Sequence, residues 1–259
     1  MDSIRLLIDE PHSGPANMAR DEALLQSCEA AANRPVLRFY AWNPPTISLG
    51  YFQDIEEFKA LPPPAGDLAV VRRTTGGGAI LHDLEITYSL TLPVEHPLIR
   101  HRPNRLYELA HDAIIRAISG GVRLFGCGAP TCDAAQRGPF FCFNRRHALD
   151  VVREDRSGSE AVSKIAGSAQ RRSRRAVLQH GSIILDSRFS QHTVARWIEI
   201  DSEITFDAAV RRLVTCFEGV LEMPAVRANW SDEELAAATE FERQYAGDDW
   251  TLRRRRLSA

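Results

Sequence analysis

The chain has 259 residues, of which 44% are hydrophobic and 25% are charged, and its formal net charge at pH 7 is −2. This composition fits a globular protein with one substantial core and provides no overall electrostatic attraction for nucleic acid. The sequence contains no run that approaches the ~18 apolar residues of a membrane span, and its first residues lack a signal-peptide core. We therefore expect a cytoplasmic protein with a single domain over residues 1–259, and no nucleic-acid or membrane partner.

The N-terminal half of the chain alternates predicted strands with predicted helices. Short apolar or alternating runs bounded by turn residues predict strands over residues 3–9, 36–41, 46–51, 68–72, 79–81 and 86–92. Helical spacing of apolar residues predicts helices over residues 17–32, 55–60 and 103–119. We interpret Gly14 and Pro15 as a turn before the first helix, and Gly120-Gly121 as the end of the third.

The C-terminal half begins with a loop-rich stretch, residues 126–144, and ends in helices. Between them, two turns connect strands predicted over residues 148–153, 161–169 and 176–185. Helices are predicted over residues 193–198, 205–222 and 231–245, and Ser231 and Glu234 have the spacing of a capping box at the start of the last one. Strands with interspersed helices, followed by helices gathered at the C-terminus, indicate an α+β fold.

The five cysteines are odd in number and irregularly spaced, which argues against a disulfide framework. Cys127 and Cys132 have neither a second cysteine pair nor a suitably spaced histidine beside them, so we predict no metal site. The arginine clusters at residues 171–175 and 253–256 are typical of solvated turns and tails.

The most informative segment lies between two predicted strands and reads Arg72-Arg73-Thr74-Thr75-Gly76-Gly77-Gly78-Ala79-Ile80-Leu81-His82-Asp83. Three consecutive glycines are costly in regular structure because glycine loses the most backbone freedom on folding. The run is either a flexible hairpin loop or a backbone surface left bare for a ligand, with the two arginines supplying charge.

Three further segments accompany this run: Ser48-Leu49-Gly50-Tyr51-Phe52-Gln53, Lys164-Ile165-Ala166-Gly167-Ser168-Ala169-Gln170 and Gln179-His180-Gly181-Ser182. Together the four segments resemble the family of lipoate–protein ligases and octanoyltransferases, which is related in fold to the biotin–protein ligases. The resemblance extends from about residue 17 to 185, and more weakly to residue 250. It implies a biotin/lipoate protein ligase-like catalytic domain, with mixed β-sheets flanked by helices and a helical C-terminus.

The same resemblance implies roles for individual residues. It places Lys164 at the acyl carbonyl or acyl phosphate, where a fixed ammonium stabilises developing oxyanion charge, and His82 and His180 beside the acyl pocket. The other substrate-binding residues that it implies are Arg72, Gly76, Gly77, Gly78, Gly167 and Gly181. From the residues alone, Lys164 is more typical of an edge-strand lysine, and both histidines are more typical of ordinary core residues.

One cysteine distinguishes the branches of the family. Cys142 stands in Pro139-Phe140-Phe141-Cys142-Phe143-Asn144, and by composition it is a buried apolar cysteine between two phenylalanines. Its place resembles that of the nucleophile in cysteine-type octanoyltransferases. A thiolate suits acyl exchange because it is both a strong nucleophile and a good leaving group, and Lys164 is the expected nearby cation.

The resemblance therefore implies transfer of an octanoyl group from acyl carrier protein, through a Cys142 thioester, to a lysine of a lipoyl-domain protein. The acceptor is expected to be a glycine-cleavage H-type protein or a dehydrogenase E2 subunit, and no cofactor is needed. An ATP- and Mg²⁺-dependent lipoate ligase, in which Cys142 only packs, is one alternative. An amidotransferase between lipoyl domains is another. A third is a non-catalytic acyl-protein binding module that docks through the basic turn at residues 171–175.

Overall fold

The computed structural model describes residues 3–31, 35–126, 139–154 and 162–255. Its strands are β1 (Ile4–Ile8), β2 (Val36–Tyr40), β3 (Thr46–Leu49), β4 (Ala69–Arg72), β5 (Ile80–His82), β6 (Glu85–Pro93), β7 (Val122–Leu124), β8 (Val151–Glu154), β9 (Val162–Arg172), β10 (Ala176–Ile184) and β11 (Ala225–Arg227). Its α-helices are α1 (Gly14–Ala31), α2 (Ile55–Lys59), α3 (Arg105–Ile118), α4 (Phe206–Leu221), α5 (Asp232–Ala246) and α6 (Asp248–Thr251).

Two mixed sheets organise the fold. The larger has eight strands in the order β11-β1-β2-β6-β10-β9-β8-β7, in which β11, β1 and β2 are parallel and the remaining neighbours are antiparallel. The smaller has the order β4-β3-β5. Lys164 lies on β9, an interior strand between β10 and β8, so the interpretation of this residue as an edge-strand lysine is wrong. The mixed sheets with flanking helices confirm the α+β prediction.

The larger sheet carries helices on both faces, and β2 shows how its alternating side chains divide between them. Leu37 and Phe39 pack into the main core with residues of α3 and α4, including Phe217. Val36 and Tyr40 instead enter the clusters that contain residues of α1, and the neighbouring Arg38 is fully buried on that same side. The buried faces of the helices thus fix the sheet between two layers.

Local sequence signals place most elements correctly. The capping box of α5 is confirmed, with the Ser231 side chain accepting from the Glu234 backbone N–H. However, α1 begins at Gly14, so the predicted turn there is wrong; Pro15 is tolerated because the first helical N–H groups need no intrahelical partner. The helix predicted over residues 193–198 is also wrong, since only a short 3₁₀ turn, Trp197–Glu199, forms there.

Two three-residue strands escape sequence prediction, β7 and β11, which occupy the two edges of the larger sheet. Along the described parts of the chain, no helix combines the length and apolar character that crossing a bilayer requires. Cys127 and Cys132, which raised the question of a metal pair, lie outside the described residues, as does most of the turn predicted between β8 and β9.

Candidate active site

A cleft of about 510 Å³, here called the cysteine cleft, opens between the glycine loop (Gly76–Gly78), α3 and β9. Its wall includes Cys142, Lys164 and Asp150, together with Tyr107 and His111 of α3. The structure thus brings together two stretches that are far apart in the sequence, the glycine loop and the Cys142–Lys164 region.

Backbone hydrogen bonds join the cysteine to the end of the glycine loop. The Cys142 N–H donates to the Ala79 carbonyl at 2.7 Å, and the Ala79 N–H donates to the Phe140 carbonyl at 2.9 Å. Cys142 begins a 3₁₀ turn whose neighbours, Phe141 and Phe143, are buried, while Cys142 itself is half-buried. The two phenylalanines therefore anchor the turn, and the thiol between them faces the cleft.

Lys164 forms the contact that defines the site. Its ammonium donates to Cys142 Sγ at 3.6 Å and pairs with Asp150 Oδ1 at 2.8 Å, with only 3% of the side chain exposed. Burial alone disfavours the charged ammonium, but the facing Cys142 and Asp150 outweigh it and raise the pKa of Lys164. Asp150 also accepts from the His147 backbone N–H at 2.8 Å, which orients its carboxylate. The Lys164 ammonium thus contacts both the cysteine sulfur and a carboxylate.

Two of the predicted glycines make room for this arrangement. A Cβ at Gly167 would lie 2.6 Å from Lys164 Nζ and closer still to Cε, so any side chain there would occupy the place of the ammonium. A Cβ at Gly181 would lie 2.6 Å from Tyr88 Cε1 and 2.8 Å from the Gly167 carbonyl oxygen. Both glycines are therefore explained by packing around the site rather than by backbone conformation.

A chain of hydrogen bonds that the sequence did not suggest lies along the far wall of the cleft. His111 Nδ1 bonds to the Leu149 carbonyl, and His111 Nε2 lies 2.7 Å from Ser168 Oγ. The Tyr88 hydroxyl follows at 2.7 Å from Ser168 Oγ and accepts from Gln179 Nε2 at 2.6 Å. Burial lowers the pKa of His111 to about 4, so its ring is neutral near pH 7.

A second, smaller cavity shares Ala169 with the cysteine cleft and contains both predicted histidines in its wall. His82 Nδ1 lies 2.7 Å from Glu85 Oε1, its Nε2 lies 2.8 Å from Ser48 Oγ, and its ring stacks on Trp42 at a centroid distance of 3.8 Å. Burial lowers the pKa of His82, although the Glu85 carboxylate opposes this effect. The imidazole is thus fixed by a partner on each nitrogen.

His180 repeats this arrangement on the other side of the cavity. Its Nδ1 lies 3.0 Å from Asp21 Oδ2, and its Nε2 lies 2.8 Å from Thr75 Oγ1. Asp21 also accepts from Arg38 at 2.8 Å and from the Tyr40 hydroxyl at 2.9 Å. Burial would raise the pKa of Asp21, but His180 and Arg38 overcome it and lower the pKa. Two histidine–carboxylate pairs thus flank one cavity, each ending on a hydroxyl.

Arg73 joins these groups to the glycine loop. Its guanidinium donates to Thr75 Oγ1 at 3.1 Å and to the Ser48 carbonyl at 2.8 Å. It also donates to the carbonyls of Gly76 at 2.8 Å and Gly78 at 2.7 Å. Burial lowers the pKa of Arg73 to about 10, which leaves it charged near neutral pH. Arg73 is therefore the side chain that shapes the loop, a role that the sequence did not assign to it.

Arg72, which the resemblance placed at the pocket, lies elsewhere. Its guanidinium donates to the carbonyls of Gly50 at 3.0 Å, Gln53 at 2.7 Å and Thr251 at 2.9 Å, and it lines neither cavity. The expectation for Arg72 is corrected on this point: the residue ties the β3 loop to α6. Arg72 is the last residue of β4, and Arg73, the first residue beyond it, is the one whose guanidinium faces the site.

The hydrogen bond from Arg73 to the Gly76 carbonyl also orients the peptide group between Gly76 and Gly77. Because the Gly76 carbonyl faces Arg73, the trans peptide turns the Gly77 N–H the opposite way. Within the described residues, the backbone N–H groups of Gly76, Gly77 and Gly78 have no hydrogen-bond acceptor. All three glycines border the cysteine cleft, so the loop offers unpaired donors next to Cys142.

The architecture is that of the lipoate–protein ligases. A crystal structure of lipoate–protein ligase A bound with ATP matches with a TM-score of 0.76 at 22% identity, covering 97% of this chain and 99% of that one. The bi-partite lipoate protein ligase of Thermoplasma acidophilum matches with a TM-score of 0.73 at 20% identity over 100% of both chains. At these identities the matches establish the fold.

Sequence comparison identifies the family. The profile described as the Lipoyl protein ligase A/B catalytic domain matches residues 13–228, and the chain belongs to this family. Octanoyltransferase LipM of Brevibacillus brevis is 33% identical over 287 residues, covering 98% of this chain and 100% of the relative. Octanoyltransferase LipM of Bacillus subtilis is 33% identical as well, covering 95% of this chain and 97% of the relative.

Proposed function

We propose that this chain, as one catalytic domain, moves an octanoyl group from acyl carrier protein to a lysine of a lipoyl-domain protein through a thioester on Cys142. The chain is an acyltransferase of the octanoyltransferase type, with relatives of that activity at about one-third identity over nearly its full length. The observation that supports the route is the buried Lys164 ammonium, held 3.6 Å from Cys142 Sγ by Asp150. A cation this close to the sulfur favours the thiolate form, in which a cysteine acts as a nucleophile.

In the first half-reaction, the Cys142 thiolate attacks the thioester carbonyl carbon of the donor. We assign stabilisation of the developing oxyanion to the unpaired Gly77 N–H and the Lys164 ammonium, because both border the cleft beside Cys142. The tetrahedral intermediate then collapses: its carbon–sulfur bond to the carrier breaks, and the new bond to Cys142 remains. The departing carrier thiolate takes a proton from Lys164, which leaves a neutral lysine beside the octanoyl-enzyme.

In the second half-reaction, the ε-amine of the acceptor lysine attacks the same carbonyl carbon. Neutral Lys164 removes the proton that the attacking nitrogen must lose, and Cys142 departs as a thiolate. The products are an amide on the acceptor and the starting ammonium–thiolate pair. The acceptor lysine, which arrives as an ammonium, first releases one proton to solvent, and the remaining proton passes through Lys164. The donor thioester is already an activated acyl group, so the proposed cycle needs neither ATP nor Mg²⁺.

We place the octanoyl tail along the glycine loop, directed toward the second, smaller cavity. Apolar side chains of Met18, Trp42 and Ile80 contribute to the wall of this cavity, beside His82 and His180. Its free space is about 20 Å³, room for roughly one water molecule. A tail therefore enters only when a wall residue moves, and Met18 is suited to this because its unbranched side chain readily adopts other rotamers.

The acceptor is expected to be a lipoyl-domain protein, either a glycine-cleavage H-type protein or a dehydrogenase E2 subunit. Its lysine must reach the acyl-enzyme through the open mouth of the cysteine cleft, where the side chain of Cys142 is half-buried. The same cysteine chemistry would allow an octanoyl-lipoyl domain to act as the donor, which is the amidotransferase reaction.

The decisive experiment is intact-protein mass spectrometry after incubation with octanoyl–acyl carrier protein in the absence of ATP. We expect a gain of one octanoyl group in the wild type and in Cys216→Ala, a matched control because Cys216 is also half-buried but lies on α4. We expect no gain in Cys142→Ala. Acylation of a lipoyl domain that requires lipoate and ATP and persists in Cys142→Ser would instead identify a ligase.

A further inference from the structure

Two arginine-rich segments, apart in the sequence, meet beside the mouth of the cysteine cleft. One precedes α3 and contains Arg100 and Arg102; the other is the turn between β9 and β10, with Arg172, Arg174 and Arg175. The Arg172 guanidinium donates to the Pro103 carbonyl at 2.9 Å, and the Val94 N–H donates to the Arg175 carbonyl at 2.9 Å. We call these five arginines the basic rim.

The basic rim adjoins the cleft, because residues next to its arginines in the sequence line the cleft. Asn104, two residues beyond Arg102, and Gln170, two residues before Arg172, are both part of the cleft wall. The charge of Arg172 also reaches the Tyr107 hydroxyl in that wall: burial raises the pKa of Tyr107 to about 12, and Arg172 acts in the opposite direction. The rim therefore stands at the entrance to the site and not on a remote surface.

The charges of the rim are available for a partner. All five arginines are exposed. Among the described residues, no carboxylate lies within 4.0 Å of any of their guanidinium groups. Nearby acids are already paired within the chain, since Glu108 contacts Arg105 at 3.1 Å and Glu22 contacts Arg171 at 3.2 Å. A chain of net charge −2 thus concentrates unpaired positive charge at the entrance to its catalytic cleft.

We propose that the basic rim is the docking surface for an acidic acyl-carrier domain that delivers the donor thioester. This inference rests on the proposed function and adds where the donor binds. An acidic carrier brings anionic side chains and the phosphodiester of its prosthetic arm, both of which guanidinium groups bind well. The distance between the rim and Cys142 is then bridged by the arm, while the carrier itself remains on the surface.

The acceptor is the less suitable partner for the same surface. Its reacting group is a lysine, which arrives as an ammonium, and the mouth already carries the cations Arg145 and Arg146 in its lining. A rim of additional arginines would raise the potential that this ammonium must cross, whereas it attracts an anionic donor. Charge complementarity therefore assigns the rim to the donor carrier.

The test is the double charge reversal R174E/R175E, assayed with octanoyl–acyl carrier protein and with octanoyl-pantetheine, a small donor without protein or phosphate. We expect KM for the carrier-bound donor to rise at least about tenfold and kcat to change little, because rim charges act mainly on encounter. The rate with octanoyl-pantetheine and KM for the acceptor should stay at wild-type values. The matched control is Arg211→Glu, an exposed arginine of α4 that should leave all of these constants unchanged.

The outcomes separate the docking surface from the chemistry. A normal KM for the carrier-bound donor in R174E/R175E, or an equal loss with octanoyl-pantetheine, would overturn the docking proposal. A raised KM for the acceptor alone would assign the rim to the acceptor and overturn it as well. Failure of the wild type to accept octanoyl from either donor would instead refute the proposed function. Loss of the tenfold difference at high salt is expected, because exposed charges are screened there.

Discussion

Adding one methyl group at Gly167 should disable the site without unfolding the protein. In Gly167→Ala the new Cβ would lie 2.6 Å from Lys164 Nζ, about 1 Å short of ordinary contact. The displaced atoms are the flexible end of a side chain, so we expect a loss of stability of only about 1–3 kcal/mol. The ammonium, however, must shift by about 1 Å from its place 3.6 Å from Cys142 Sγ, while it stays close enough to Asp150 to keep the ion pair. A misplacement of about 1 Å typically costs about 100-fold in rate.

The assay is the rate of octanoyl-enzyme formation by quenched mass spectrometry, combined with urea unfolding to measure stability. Gly219→Ala is the matched control, because a Cβ at this exposed position of α4 meets nothing within 4 Å. It should retain the wild-type rate and gain about 0.5–1 kcal/mol from helix propensity. A folded Gly167→Ala enzyme that acylates at the wild-type rate would show that the position of Lys164 does not control the chemistry.

Asp150→Asn should slow acylation of the enzyme, because it removes the buried carboxylate that holds the Lys164 ammonium. Breaking such a buried pair should also lower the free energy of unfolding by about 3–5 kcal/mol, as measured by urea unfolding. Arg73→Lys should lower the acylation rate at least about tenfold, because lysine lacks the planar guanidinium that binds two carbonyls of the glycine loop. Arg72→Lys is the matched comparison: it should reduce stability and leave the acylation rate of the folded enzyme unchanged. His192→Phe should make the folded protein less sensitive to acid. Burial lowers the pKa of His192 to about 4, so the unfolded chain binds more protons than the folded one between about pH 6.5 and 4, and stability falls as pH falls through this window. The wild type should lose about 2 kcal/mol more than this variant between pH 7 and 5 in urea unfolding, and equal losses would contradict the assignment.

Most of the buried titratable side chains of the site are arranged in self-contained groups, which explains how they persist in a folded core. Asp21, Arg38 and His180 form one group, and His82 and Glu85 form another. Lys164 and Asp150 form the third, with Cys142 as its open end. Buried ions are tolerated when each finds a partner and hydrogen bonds. Of the three groups, the third lines the cysteine cleft, where we propose that the acyl donor binds.

Much of the fold could be predicted because its signals are local. The capping box at Ser231, the apolar face of α3 and the glycine run each depend on residues close together in the sequence. The edge strands β7 and β11 could not be predicted, since three residues carry too little pattern and their pairing partners lie far away in the chain. Residues 193–198 have a helical composition, but the structure has no α-helix there and forms only the 3₁₀ turn Trp197–Glu199.

The candidate site, like the fold, could be predicted from the sequence only in part. The sequence by itself determined which segments matter: the glycine loop, the cysteine in its aromatic turn and the lysine of β9. Only the tertiary structure decided which side chains do the work. It selected Arg73 over Arg72, because the strand ends between them and the sequence does not say which of the two guanidinium groups meets the glycine loop. It also added Asp150, because the pairing of β8 with β9 across an irregular register, not sequence spacing, sets that carboxylate 2.8 Å from Lys164.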